Sequence, residues 1–331
     1  MSGPATVLVE LPAGDRVARR RIGGMSVLER VLRDAARAGA TRAYVRADAA
    51  DVPALPALAL EVTVLARDAA APPDAVAIPA HRVAGVDVTD DVTARAAMRA
   101  LLQSCRRPHD GVGDRFFIRY LSLTLTRVLT GTAVTPNHVT MVNIVVGLAA
   151  CWFASRGTAT AFLVAGALMI LQVVLDSCDG ELARIRHMHS KLGMTMDNVS
   201  DDVIDNGFVA AVGLGLGGWW AWVAVPAAIA RGLVALMIYV DVARQGKPGD
   251  VMAFRWWFDA PDDTPTERFS ARVTPLTVVR GLGRRDLYVL VFGAACMAQA
   301  PQVAFGLGVI ICVGYFALAV IHLTRPRARA R

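Results

Sequence analysis

Residues 175–206 read LDSCDGELARIRHMHSKLGMTMDNVSDDVIDN and place seven acidic residues at the junction of two otherwise apolar stretches. Asp176 and Asp179 are three positions apart, and Asp197 and Asp201 four apart. On helices, each pair therefore shares one face. Burying one charge in hydrocarbon costs at least about 2.5–3.5 kcal/mol, so an acid inside a membrane helix is a functional hypothesis by default. Two such helices turned face to face would gather four carboxylates. Their mutual repulsion calls for cations, and hard oxygen donors suit Mg²⁺, Mn²⁺ or Ca²⁺.

Working outward, the flanking runs have membrane dimensions. Six apolar segments, at about 137–155, 159–182, 196–216, 219–242, 286–300 and 302–323, approach the roughly 20 residues a bilayer needs, the fifth being short. The 331-residue chain is 55% hydrophobic, with a mean hydropathy of +0.44, too apolar for an ordinary soluble protein. Its formal charge of +7 sits mainly beside the apolar runs. Arg184, Arg186 and Lys191, then Arg244 to Arg285, then Arg325 to Arg331 mark one set of loops, and the opposite loops hold only Arg156. That asymmetry predicts a multi-pass inner-membrane protein with both termini cytosolic, in contact with anionic lipids and not with nucleic acid. Just before the first span, Asp114–Thr130 places Phe116, Phe117, Tyr120, Leu121, Leu125 and Leu129 at helical spacing against Arg115, Arg119 and Arg127. It is expected to lie in the interface with its arginines at the headgroups.

Residues 1–106 are more polar and read as a small α/β cytosolic domain ahead of a membrane domain at 107–331. Thr6–Leu11, Arg42–Arg46, Glu61–Leu65 and Ala75–Ile78 are strand candidates, and Ser26–Ala38 and Val92–Ser104 helix candidates. No basic stretch followed by an apolar core opens the chain, so no signal peptide is expected. The five cysteines form no CxxC pair and read as small apolar residues in a reducing compartment.

The order Asp176-x2-Asp179-Gly180-x2-Ala183-Arg184-x8-Gly193-x3-Asp197-x3-Asp201 resembles, position for position, the signature of the CDP-alcohol phosphotransferase family. Thr135-Pro136-Asn137-His138-Val139-Thr140 resembles that family's approach to its first span. The resemblance implies a mainly α fold, a bundle of six transmembrane helices with an interfacial N-terminal helix, over about residues 110–325. It implies that Asp176, Asp179, Asp197 and Asp201 bind two divalent ions, Mg²⁺ or Mn²⁺, with Asp201 also the general base. Gly180, Ala183, Arg184, Gly193, Pro136 and Asn137 would frame the CDP moiety. The donor implied is CDP-diacylglycerol, and the acceptor a polyol or polyol phosphate such as inositol phosphate. Assembly as a homodimer is left open.

Among the remaining charges, Arg231 reads either as a structural partner of Asp202 or Asp205 or, with Arg244, Arg268 and Arg285, as a ligand for the acceptor's phosphate. His187 and His189 read as solvated loop residues. Trp256, Trp257 and Phe258 are expected to dip into the interface. The run LPAGDRVARRRIGGMSVLERVLRDAARAGATRAYV (11–45) resembles the opening of a sugar-phosphate or polyol-phosphate nucleotidyltransferase, a domain fused ahead of some family members. Only Gly14 remains of its glycine-rich turn and no lysine follows, so this segment is expected to be a shortened, inactive relative, dispensable for transfer. Two other classes fit the sequence less well. A membrane prenyltransferase lacks the element running from Gly180 to Arg184, and a non-catalytic anchor would leave four acids uncompensated.

Overall fold

The structure is a computed structural model that describes residues 4–107, 110–247, 250–259 and 283–325. Arg268, Arg272 and Arg280 of the basic loop, and Arg327, Arg329 and Arg331 of the tail, lie outside the described residues. The chain forms two compact units, one of Met1–Arg106, Arg127–Ala133 and Glu181–Met188, the other of Arg107–Thr126, Val134–Gly180 and His189–Arg331.

The first unit is built on a parallel sheet. Strands β1 (Thr6–Glu10), β4 (Arg42–Arg46), β5 (Glu61–Leu65) and β6 (Val76–Ile78) lie in the order β5-β4-β1-β6. The β-branched, apolar run Thr6–Val9 is buried throughout, as a strand flanked on both sides should be. Helix α1 (Val27–Arg37) begins at Ser26, whose hydroxyl accepts from the Glu29 N–H. Its apolar stripe, Leu28, Val31 and Leu32, closes over Val7, Val9 and Val45. Helix α2 (Asp91–Ser104) starts in a capping box between Asp90 and Thr93 and buries Ala97 and Leu101 against Ile22, Val27, Val83 and Val88. Strands β2 (Arg21–Ile22), β3 (Met25–Ser26), β7 (Arg82–Val83) and β8 (Val86–Asp87) form two short antiparallel ladders, too brief to announce themselves by alternation.

The second unit is helical. A π-helical turn (Asp114–Ile118) runs into α3 (Arg119–Leu129), followed by α4 (Pro136–Ala154), α5 (Ala159–Ile185), α6 (Lys191–Leu216), α7 (Trp219–Arg244), α8 (Arg285–Met297) and α9 (Pro301–Thr324). Helices α4, α5, α7 and α9 are long and apolar enough to cross a membrane, with mean hydropathies of 1.4, 2.0, 2.0 and 2.5. The other two expected spans coincide with α6 and α8 but differ in character. The aspartates lower the hydropathy of α6, and α8 has only 13 residues, about 20 Å of helix.

The helix before the first span corrects one expectation. Phe116, Tyr120 and Leu121 are exposed, as an interfacial face should be, but Arg119 is 5% exposed and forms an ion pair with Asp110 at 2.9 Å. Its guanidinium ties the helix to the chain before it, leaving Arg115 and Arg127 exposed. Trp256 packs near His322 and Tyr315 of α9, at ring distances of 5.7 and 6.4 Å, while Phe258 stays exposed.

Helix α6 packs on α4, α7 and α9, and α8 on α9. Helix α5 meets α8 at Gly166 and Gly293, where a Cβ on Gly293 would stand 2.6 Å from Ile170 Cγ1. Such bare positions allow membrane helices to approach closely. This crossing brings the start of α8 to the acids of α5.

Candidate metal and nucleotide site

The acids stand on two helices, and the arginine that meets them on a third. Helix α5 carries Asp176 and Asp179 about two turns before its end, α6 carries Asp197, Asp201, Asp202 and Asp205, and α8 opens with Arg285. Helix α6 starts at Ser190, whose hydroxyl accepts from the Gly193 N–H at 2.9 Å, and this cap fixes the register of the acids that follow.

Asp176, Asp197 and Asp201 each offer an oxygen within 4.8 Å of the others. Asp179 stands apart from that trio, its Oδ2 accepting a 2.6 Å hydrogen bond from the Thr140 hydroxyl. Arg285 lies across the group: Nη1 is 2.8 Å from Asp176 Oδ2, Nη2 is 2.8 Å from Asp201 Oδ1, and Nε donates to Asp205 Oδ2 at 3.0 Å. Gln172, fully buried, accepts from Arg285 Nη2 at 3.1 Å and contacts Asp201 through its amide nitrogen.

A second tier closes around Arg231, which is 8% exposed. It donates to Asn206 Oδ1 at 3.2 Å and to the Tyr288 hydroxyl at 3.0 Å, and Asp202 lies 3.9 Å away. The Tyr288 hydroxyl donates to Asp205 Oδ2 at 2.6 Å, and the Tyr239 hydroxyl to Asp202 Oδ2 at 2.5 Å. The Arg231–Asp202 pair considered from sequence is therefore present, while Asp205 turns to Arg285 and Tyr288.

Charge and unmet bonding both fit divalent cations. Six carboxylates, Asp176, Asp179, Asp197, Asp201, Asp202 and Asp205, share this region with the guanidinium groups of Arg231 and Arg285. Four formal negative charges remain, which two divalent ions would balance. Oδ1 of Asp176 and Oδ1 of Asp197 are buried without a hydrogen-bond partner among the described residues. Buried carboxylate oxygens left unpaired are costly, and oxygen-only donors suit Mg²⁺ or Mn²⁺.

The residues expected around the nucleotide are distributed as follows. Thr135 caps α4, accepting from the His138 N–H, with Pro136 at the first helical position. A Cβ on Gly193 would lie 3.5 Å from Asn137 Oδ1 and 2.8 Å from Ser190 Oγ, so the structure brings Asn137 and Gly193 together. Ala183 and Arg184 occupy the last turn of α5, where Arg184 Nε is buried without a partner among the described residues. Arg244 is exposed at the end of α7. His187 departs from expectation. Its side chain is 9% exposed and 3.4 Å from Asp34, so it is packed inside the first unit while His189 is exposed.

Sequence reasoning did not single out Thr140, Gln172, Asn206, Tyr239 or Tyr288. Thr140 had a usable signal, lying one turn after Pro136 in a run already noted. The other four are lone polar residues whose partners lie on distant helices.

The arrangement gathers acids from two consecutive helices into a cluster of oxygen donors that could hold a metal ion, in a chain with four helices long and apolar enough to cross a membrane. Residues 133–279 match the family model described as CDP-alcohol phosphatidyltransferase. It is 36% identical over 131 residues to a "Bifunctional IPC transferase and DIPP synthase" of Thermococcus kodakarensis, covering 39% of this chain and 29% of that protein. A protein of the same description from Archaeoglobus fulgidus is 31% identical over 132 residues, covering 39% and 25%. One from Aquifex aeolicus is 29% identical over 151 residues, covering 43% and 33%. The matches thus span a third or less of these relatives' own length.

Proposed function

We propose that the protein transfers a phospho-alcohol group from a CDP-linked donor, with CDP-diacylglycerol the favoured one, to an acceptor alcohol, releasing CMP at the cytoplasmic face of the inner membrane. The observation that carries this reading is the meeting of Asp176, Asp197 and Asp201 from two consecutive helices, with unpaired oxygens on Asp176 and Asp197.

Asp176, Asp179, Asp197 and Asp201 would hold the metal centre. Divalent ions there supply neutralisation of the donor's diphosphate and polarisation of its phosphoryl oxygens. The chain's own groups do the rest. Thr140 fixes the Asp179 carboxylate, and Gln172 and Arg285 fix Asp201. Asn137, Gly193 and the last turn of α5, with Gly180, Ala183 and Arg184, receive the CDP moiety. The unpartnered Arg184 Nε suits a phosphate oxygen. Asp201 accepts the proton of the acceptor hydroxyl as its oxygen bonds to the donor's phosphorus. The bond from that phosphorus to the CMP oxygen breaks in line with the attack.

Arg285 is the cation we assign to the phosphate of a polyol phosphate acceptor, with Arg244 and, by sequence, Arg268 as further candidates. Arg231, which donates to Asn206 and Tyr288 and has Asp202 3.9 Å away, is read as the structural counter-charge of α6. An inositol phosphate acceptor is the one the family resemblance favours, and the similar proteins carry the description "Bifunctional IPC transferase and DIPP synthase". We further propose six crossings, with both termini cytosolic. Helix α8 can be short because Arg285 starts it at the depth of the acids, already within the bundle. The domain division at residues 106 and 107, and the lack of cytidylyl transfer by the N-terminal segment, complete the reading.

The experiment is CMP release by the purified protein in lipid, with CDP-diacylglycerol and a panel of acceptors. Release that requires a polyol phosphate and stops on chelation supports the reading. No release with any acceptor from folded protein overturns it.

A further inference from the structure

The end of α5 is held by the N-terminal segment. Past Ile185 the helix closes in a Schellman arrangement: the Met188 N–H donates to Ala183 O at 2.9 Å and the His187 N–H to Arg184 O at 3.4 Å, with His187 at φ +52°. A left-handed residue other than glycine is unfavourable. Asp34 lies 3.4 Å from the His187 ring.

The motif leaves the Ile185 carbonyl to an outside donor. Arg30 Nη1 donates to it at 2.8 Å, while Nη2 donates to Ile22 O at 2.9 Å. Arg30 is 1% exposed, and burial lowers its pKa to about 10, so it stays cationic at neutral pH. A cation here also meets the negative end of the helix dipole.

Two glycines of the β2–β3 turn permit the approach. At Gly23, φ +60°, a Cβ would stand 2.7 Å from Ile185 Cγ2, and at Gly24, φ +89°, one would stand 2.8 Å from Arg186 Nε. Arg186 Nη2 in turn donates to the carbonyls of Leu129, Thr130 and Thr132, at 3.0, 3.1 and 2.6 Å, shortly before Thr135 and Pro136. Both backbone segments leading into the donor pocket are thus gathered within the first unit.

We propose that Arg30 is a positioning residue for the donor pocket, capping α5 so that Ala183 and Arg184 are held in register. This rests on the nucleotide-donor reading above and reverses the expectation that the N-terminal segment is dispensable.

The test uses full-length wild type, Arg30→Met and Arg30→Lys in lipid nanodiscs. Hydrogen exchange is followed at residues 181–188 and at β1, and donor KM and kcat are measured by CMP release. Arg30→Met should raise exchange at 181–188 and leave β1 unchanged. Its donor KM should rise about 10-fold, the scale of a lost charged hydrogen bond, with kcat within about twofold. Arg30→Lys should fall between. Wild-type exchange at 181–188 with wild-type KM in Arg30→Met overturns the proposal, as does exchange raised equally in β1. If Arg30→Met does not fold, wild-type exchange at 181–188 in Arg30→Lys overturns it. Should wild type release no CMP, the transferase reading fails, and exchange alone decides the role of Arg30.

Discussion

The Thr140 hydroxyl donates a 2.6 Å hydrogen bond to Asp179 Oδ2, tying the start of α4 to the acid-bearing end of α5. Both residues are buried, at 4% and 5% exposure, so the bond is shielded from water. Thr140→Val keeps the shape and removes the donor. Hydrogen bonds to charged groups contribute about 1.5–3 kcal/mol, so CMP release at subsaturating donor should fall by at least about 10-fold. A steady-state comparison with wild type checks this, and unchanged kcat/KM would detach Thr140 from the site.

Arg285 should divide acceptor from donor. Arg285→Lys retains charge but cannot match three carboxylates and Gln172 with one ammonium. The KM for a polyol phosphate acceptor should rise about 10-fold or more, by a larger factor than donor affinity falls. Parallel titrations of the two substrates check it, and an effect on the donor alone would contradict the assignment.

Orientation follows from the loop charges. In intact cells, a thiol reagent added outside should label a cysteine placed at Ala300 and miss one at Lys247. Labelling of Lys247→Cys from outside would invert the topology and move the site to the opposite face.

Asp114, in the turn before α3, gives a pH-dependent prediction. Burial, with Asp286 and Asp110 nearby, pushes its pKa up to about 6 against the pull of Arg119. The folded form therefore binds its proton more tightly than the unfolded chain does. Stability is lost as pH rises from about 4 through about 6, and the loss is complete above that. Asp114→Asn should accordingly raise the thermal unfolding temperature at pH 7.5 and have little effect near pH 4. Equal effects at both values would contradict the shift.

Parts of this structure were legible because some patterns have few physical explanations. Carboxylates at three- and four-residue spacing inside apolar runs point to one helix face and to a cation. The parallel strands β1, β4, β5 and β6 showed as short β-branched runs. The short ladders β2–β3 and β7–β8 did not, since two residues carry no period. Arg119 reads from sequence as one more arginine on an amphipathic helix, and only its pairing with Asp110 shows that it points inward. Likewise, Arg285 meets Asp205 and Asp176 across 80 and 109 positions of chain, and no local pattern encodes such partners. His187 looked like a loop residue because the helix end that packs it is closed by Arg30 and Asp34, far upstream.

If the aspartates of α5 and α6 form one metal-dependent transfer site with Asp201 as its base, neutralising different acids should have different effects. The most direct measurement is CMP release and CDP-donor affinity for wild type, Asp201→Asn and Asp179→Asn side by side, with Mg²⁺ and with Mn²⁺. Asp201→Asn keeps the side-chain shape without the proton acceptor, so turnover should fall at least about 10²-fold while donor affinity is largely kept. Asp179→Asn should lose donor affinity as well. Near-normal turnover in Asp201→Asn would remove it from the role of base, and near-normal turnover in both would contradict the metal-centre account itself.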